Sequence, residues 1–428
     1  VTHKTPATPA PAPKSLWARL GPGLITGAAD DDPSGIATYS QVGAAFGYGI
    51  LWTTFFTLPL MVGVQLVSAR IGRVTGEGLA ANIQRHYPRW LLFAIVGLLL
   101  LANTINIAAD VGAMGAALTL LVGGPAHWYA AAFGALSAVL QIWVPFPRYS
   151  PFLKLLTLAL LAYVATAFVV HVPWGAVAVG TLLPAISFKA DYVVAIVAVF
   201  GTTISPYLFF WQASQEVEEQ RATPGQKPLL SLPADARAQL RRIRLDTYVG
   251  MTFSNIVAFF IMLTTVVTLH LHGVSDIQTS AQAAQALRPL AGDFAFALFT
   301  AGIVGTGLLA VPVLAGSAAY AVAETFHWRT GLGLQLMQAR GFYAIVALAT
   351  LLGVALNFTP VDPIKALFWS AVVNGVIAVP IMVVMMLMGS RADIMGPFVI
   401  KRRLRVLGWL ATATMAAVVL AMGVTWGA

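Results

Sequence analysis

Long apolar runs separated by short polar connections dominate the chain. Crossing roughly 30 Å of hydrocarbon takes about 20 largely apolar residues in a helix. Eleven such runs stand near residues 20–44, 50–69, 91–122, 127–146, 151–172, 190–217, 246–270, 291–323, 341–358, 362–389 and 406–427. The pattern predicts a polytopic all-α membrane protein. It reads as one transmembrane domain over residues 19–428, preceded by a Pro- and Ala-rich tail at 1–18 that is expected to be disordered and cytosolic. With no signal peptide in that tail, the first helix is expected to act as its own insertion signal.

The polar connections test the count, because Lys and Arg gather on the cytosolic side of a correct topology. With the N-terminus inside, 22 of the 25 basic residues fall in cytosolic segments, leaving only Lys189, Arg288 and Lys365 outside. The same alternation puts the C-terminus on the extracytosolic side of a plasma or inner membrane. Composition agrees: 58% of residues are hydrophobic and 10% charged, against about 25% charged in soluble domains. The net charge of +9 is therefore read as loop charge facing anionic headgroups, and nucleic-acid binding is not expected. No protein partner is required. The chain contains no cysteine, no GxxxxGK[ST] loop and no His pair at i, i+4 within an apolar run, which argues against thiolate sites, direct ATP drive and zinc catalysis.

Acidic residues in mid-membrane demand compensation. Asp30, Asp31 and Asp32 lie in the first apolar run and are followed by Pro33, Ser34 and Gly35. Proline lacks the N–H and clashes with the preceding turn, so the helix is expected to break there. Unpaired backbone at that depth is tolerated only where it lines a cavity or binds something. The sixth run repeats the device without acids at Gly201-Thr202-Thr203-Ile204-Ser205-Pro206-Tyr207. Interrupted helices at corresponding places in two halves point to an inverted-repeat transporter with its site between the repeats. Here the halves would be 19–172 and 190–389, with 406–427 as an extra helix. Asn103, Asn106 and Asp110 share one face of the third helix, as interhelical glue or as part of an ion or proton path. Glue is the reading for the asparagines, whereas Asp110 is open between the two. Asn255 and Asn374 read as interhelical hydrogen-bonders, although Gly375 beside Asn374 could open the backbone for a ligand role.

These pieces resemble the natural resistance-associated macrophage protein family of divalent-metal transporters over about 20–387. Gly21-Pro22-Gly23 leads to Asp32-Pro33-Ser34-Gly35 where the family has Asp-Pro-Gly-Asn; Val74 to Ala80 and Tyr87-Pro88-Arg89 match its loop after the second helix, and Asp246-Thr247 its seventh helix. The resemblance implies a leucine-transporter-type fold of 5+5 helices with the first and sixth discontinuous, no enzymatic activity, no cofactor, and a transported divalent cation. The departures are informative. The family's sixth helix reads Ala-x-x-Met-Pro-His, with the methionine as a metal ligand, and the same positions here are Thr202, Ser205, Pro206 and Tyr207. A hydroxyl in place of a thioether suits hard ions such as Mg²⁺ and Mn²⁺. The family's asparagine is Gly35, its histidine is Tyr207, a phenol that keeps its proton at neutral pH, and of its third-helix acidic pair only Asp110 remains, Ile107 standing at the other place. These departures resemble the family's magnesium-transporting branch.

The sequence is thus expected to specify a secondary carrier importing Mg²⁺ and Mn²⁺ by alternating access, without strong proton coupling. Asp32 is the principal expected ligand, with backbone carbonyls at the breaks and Thr202, Ser205 and Asn374 completing the shell. Asp30 and Asp31 supply field strength, directly or through water, and Ser34, Gly35, Tyr207 and Asp110 line the path. All three acids can reach one ion only if the segment is unwound. The alternatives are a proton-coupled Mn²⁺/Fe²⁺ symporter and a carrier of organic substrates, the latter disfavoured by three acids facing any carboxylate. An intramembrane enzyme lacks a nucleophile and base pair.

Overall fold

The computed structural model describes residues 21–426 except 147, 150, 151, 153, 154, 156, 157 and 361. The tail predicted at 1–18 and part of the run at 151–172 lie outside the described residues. Among the described residues the regular structure is entirely helical. In chain order it comprises α1 (Pro22–Asp30), α2 (Pro33–Phe46), α3 (Trp52–Thr75), α4 (Leu79–His86), α5 (Arg89–Val122), α6 (Ala126–Trp143), α7 (Leu161–Val169), α8 (Trp174–Leu182) and α9 (Ala190–Thr203). There follow α10 (Pro206–Ala222), α11 (Ala236–Thr268), α12 (Ser280–Gln285), α13 (Arg288–Ala291), α14 (Ala295–Thr325), α15 (Arg340–Leu356), α16 (Pro363–Ser390), α17 (Ala392–Met395) and α18 (Arg402–Trp426).

Seven stretches are long and apolar enough to cross a membrane by themselves, among them Ala190–Ala222, which spans α9 and α10. The runs predicted at 20–44, 127–146 and 341–358 are α1 with α2, α6, and α15, and the described part of 151–172 ends in α7. Large apolar side chains such as Phe93, Leu101, Leu136, Leu351 and Leu420 are exposed on the outside of the bundle. On a water-soluble domain such surface would be a liability, whereas against lipid it is the required covering.

Both interrupted helices break where the prolines predict, and with the same backbone geometry. Asp31 ends α1 at φ −84°, ψ 47°, and Asp32 stands extended before Pro33 at φ −69°, ψ 171°. Ile204 ends α9 at φ −118°, ψ 58°, and Ser205 stands extended before Pro206 at φ −77°, ψ 133°. In each case the proline takes the first helical position, where its missing N–H costs nothing.

Close backbone packing fixes the partners of the broken helices. Gly23 and Gly27 on α1 meet Gly250 on α11, with no room for a side chain: a Cβ at residue 23 would stand 2.8 Å from the Asp246 carbonyl carbon. On the other side α10 lies on α3, with Gly72 against the Ala213 backbone. That contact is tied by Gln65 Nε2 donating to the Leu208 carbonyl at 2.9 Å and Ser68 Oγ donating to the Phe209 carbonyl at 2.5 Å. The long α5 runs through the centre against α14 and α16. Asn103 donates to the Leu314 carbonyl at 2.8 Å and to Ser317 Oγ at 2.7 Å, and Asn255 on α11 donates to the Thr54 carbonyl at 3.0 Å. Both amides therefore act as the interhelical glue expected of them.

Candidate metal-ion site between the two breaks

The two breaks face each other at mid-bundle. A Cβ on Gly35 would sit 3.2 Å from the Asp30 carbonyl oxygen and 3.3 Å from Thr202 Oγ1, so the absence of a side chain at residue 35 lets the breaks approach. Asp32 stands at this junction, 2% exposed. One carboxylate oxygen accepts the Gly35 N–H at 2.7 Å and so caps α2. The other accepts from Asn106 Nδ2 at 2.9 Å, with the Tyr207 hydroxyl at 3.3 Å. Tyr207 also lies 3.0 Å from the Ala29 carbonyl, the nearer acceptor for its single proton, which leaves Asn106 as the principal side-chain donor to Asp32. Asn374 Nδ2 donates in turn to Asn106 Oδ1 at 3.2 Å, while its own carbonyl oxygen is buried without a partner. A relay thus runs from α16 through α5 to the first break.

Asp30 and Asp31 are 1% and 2% exposed and turn the other way, towards α11. Ser254 Oγ lies 2.7 Å from Asp30 Oδ2 and 3.0 Å from Asp31 Oδ1, and Asp30 Oδ1 has no hydrogen-bond partner. One hydroxyl proton cannot serve two carboxylates at once. The pair therefore presents unfilled acceptor capacity, which attracts positive charge. Among the described residues no three His, Cys, Asp or Glu side chains gather as a metal cage. The structure brings Asp32 together with Asn106, Tyr207 and, through Asn106, Asn374, but it does not converge the three aspartates on one point.

Ser205 Oγ lies 2.8 Å from both the Gly201 and Thr202 carbonyls and shares its one proton between these acceptors that the break frees. Its lone pairs remain available. Ser34 is turned away from Asp32, its hydroxyl 3.0 Å from the Leu367 carbonyl and 3.1 Å from Ser370 Oγ on α16. Asp110 is fully buried one turn along α5 from Asn106, near the Ser34 backbone N–H, and neither of its carboxyl oxygens has a side-chain partner.

Sequence reasoning assigned Asn106 to glue and passed over Ser254. Asn106 is such glue, bonding α5 to the first break and accepting from Asn374 on α16, and that its partner at the break is Asp32 depends on which helix α5 faces. Ser254 had a legible signal: with Asp246 and Gly250 it forms an i, i+4, i+8 row on the α11 face that receives α1. Towards the C-terminal end of α2, a cavity of about 550 Å³ opens between α2, α9 and α16, lined by Gln41, Phe46, Asp191, Val194, Asp276 and Phe368 among others. At the opposite end α1 is held shut. The Asp246 carboxylate accepts the N–H groups of Gly21 at 3.0 Å, Gly23 at 2.6 Å and Leu24 at 3.1 Å, an N-cap supplied from another helix.

Comparison with known proteins agrees with this architecture. The chain is 26% identical over 411 residues to a divalent metal cation transporter, MntH, of Klebsiella pneumoniae strain 342, covering 94% of this chain and 92% of that one. It superposes on a crystal structure of the Eremococcus coleocola manganese transporter, bound to an aromatic bis-isothiourea compound, with a TM-score of 0.71 at 18% identity, over 96% of this chain and 87% of that one. A nucleobase-cation-symport-1 transporter in a closed conformation superposes with a TM-score of 0.57 at 14% identity, over 95% of this chain and 92% of that one. The fold is thus the leucine-transporter type with discontinuous first and sixth helices. The natural resistance-associated macrophage protein-like family profile matches residues 23–425, so the chain belongs to that family of membrane transporters and is not an enzyme.

Proposed function

We propose that this protein is a secondary carrier of divalent cations that takes up Mg²⁺ and Mn²⁺ by alternating access, without strong proton coupling. The observation that carries the reading is the chemistry around Asp32. The groups gathered there are a carboxylate, amides and hydroxyls, with Thr202 and Ser205 on the facing break. Oxygen donors favour hard cations. Asp32 is assigned as the charged ligand, Thr202, Ser205 and Asn374 as contacts to the ion or its waters, and Asp30 and Asp31 as electrostatic support facing Ser254. Ser34, Gly35, Tyr207 and Asp110 border the path. The end of the bundle bearing Gly21 and Arg242 is assigned to the cytosol by its basic loops, with repeats at 19–172 and 190–389 in one domain. The ion and its coordination rest on this chemistry and on the names of the metal-transporting relatives.

The test is initial-rate uptake into proteoliposomes with Mg²⁺, Mn²⁺, Fe²⁺, Cd²⁺ and Ca²⁺ in competition, for the wild type and for Asp32→Ala. Saturable Mg²⁺ and Mn²⁺ uptake that Asp32→Ala abolishes in a monodisperse protein is the expected result. Wild-type rates in that variant would sink the assignment. A second reading, a proton-coupled Mn²⁺/Fe²⁺ symporter, is favoured by Asp110, whose carboxyl is fully buried with no side-chain partner and could carry a proton. Metal-dependent acidification of the liposome lumen would select it.

A further inference from the structure

Between the Asp32 junction and the Arg242 end runs a row of buried polar side chains that the site does not use. Gln212, Glu216 and Gln220 lie at i, i+4 and i+8 on one face of α10 and are 0%, 0% and 3% exposed. Gln212 accepts from Thr26 Oγ1, which sits on α1 one turn before Asp30. Further along, Glu216 Oε2 and Glu219 Oε2 take the Arg242 guanidinium between them at 2.5 and 2.9 Å. Arg242 also lies in the field of Asp246, and the buried Arg73 lies close enough to Glu216 and Glu219 to interact with both.

The row is under-satisfied. Glu216 Oε1, Gln212 Nε2 and both amide atoms of Gln220 are buried without hydrogen-bond partners, as are Nε and Nη1 of the neighbouring Arg73. Buried polar atoms left unpaired are costly, and apolar side chains would seal the same helix contact at no such cost. The ion pair with Arg242 accounts for Glu216 Oε2 but not for Oε1 or the flanking amides. The unpaired oxygens of the row, Glu216 Oε1 and Gln220 Oε1, are hard donors, carboxylate and amide, in the direction in which a cation would leave Asp32, whereas its unpaired nitrogens carry N–H groups and take no part in ligation. Arg242 is itself 18% exposed, so its head can withdraw towards solvent on its flexible stem.

We propose that Gln212, Glu216 and Gln220 form a second, transient site for the transported divalent cation on the exit path, with Glu216 as its charged ligand. The Arg242 guanidinium occupies this site as a tethered stand-in while the path is shut. The inference rests on the function proposed above. An ion moving from Asp32 displaces the guanidinium, which leaves the carboxylate to the ion and returns once the ion has gone.

The test is transport by the full-length protein in proteoliposomes, with Mn²⁺ and Mg²⁺ as probes and initial rates followed over a range of concentration. Glu216→Gln is expected to lower the maximal rate at least tenfold while moving KM less than threefold, and Glu216→Asp to retain more of the rate. The double variant Glu216→Gln with Arg242→Gln removes both buried charges together, the change most compatible with folding, and is expected to stay slow because the ligand is still missing. A Glu216→Gln rate within twofold of wild type overturns the inference. So does a double variant restored to within twofold of wild type, since Glu216 would then serve only as the partner of Arg242. Wild-type liposomes that move neither ion overturn the proposed function, and this inference with it; the other outcomes bear on the exit site alone.

Discussion

Asp246→Asn should loosen the N-terminal half of the first broken helix, and the size of the effect follows from the cap. The carboxylate takes three backbone N–H groups of α1, and Gly23, at 2.6 Å, has one oxygen to itself. An amide keeps one oxygen for Gly21 and Leu24 but turns an NH₂ towards Gly23. That replaces a hydrogen bond to a charged group, about 1.5–3 kcal/mol, by a donor facing a donor. Loss of the negative charge at the helix N-terminus adds about 0.3–1 kcal/mol. Together these give about 3 kcal/mol, or roughly a hundredfold increase in the population with α1 released. Because the chain contains no cysteine, Thr247→Cys makes a single-thiol reporter at a fully buried position next to Asp246, with its backbone against Gly23 of α1. Labelling by a membrane-impermeant maleimide tracks the open population when opening and closing are fast. The rate should rise by about two orders of magnitude on adding Asp246→Asn, and should not change with Asp393→Asn, whose ion pair with Arg391 is exposed. A labelling rate within twofold of the parent, in a protein that remains folded, would refute the cap as the lock.

Two further substitutions probe the site. Asn106→Leu removes the 2.9 Å bond to Asp32 and the link to Asn374 at similar volume; losing a hydrogen bond to a charged group, about 1.5–3 kcal/mol, should raise KM for Mn²⁺ about tenfold or more, and an unchanged KM in uptake assays would remove Asn106 from the site. Ser205→Met deletes a hydroxyl that lies 2.8 Å from two freed carbonyls and brings a thioether to the break; competition assays should show Cd²⁺ gaining at least tenfold over Mg²⁺, about 1.4 kcal/mol, and an unaltered preference in an active protein would mean that residue 205 does not line the site.

Which parts were legible in the sequence depends on how local their causes are. The breaks at Pro33 and Pro206 follow from the geometry of one residue type, and both appear where the sequence places them. The lipid-crossing runs follow from length and hydropathy alone. The partners of the polar side chains do not. That the partner of Asn106 at the break is Asp32 turns on the direction of one helix face across the bundle, and the back-bonding of Ser205 turns on carbonyls that exist only because the helix is broken. The divergence of Asp30 and Asp31 from Asp32 is of the same kind. Asp30 is still helical, so it faces α11, while the extended conformation of Asp32 swings its carboxylate to α5 and α10.

The two broken helices share a backbone design and both pack closely through glycines, but their polar ties differ. α10 is tied to α3 by neutral hydrogen bonds from Gln65 and Ser68 and by backbone packing at Gly72. α1 is a nine-residue helix whose N-terminal hold is a single carboxylate, flanked by a guanidinium shared between Glu216 and Glu219. Neutral hydrogen bonds inside a bundle are insensitive to a passing ion. The helix N–H groups on the Asp246 carboxylate and the arginine on two glutamates both compete directly with a divalent cation for those carboxylate oxygens. On the exit path proposed above, a cation leaving Asp32 along α10 would loosen the Asp246 hold on α1 and the Arg242 tie between α10 and α11, while the neutral bonds of α10 to α3 would stay in place. Release of the ion and opening of the seam between α1, α10 and α11 would then be one coupled event, with the α10 contact to α3 as the fixed wall.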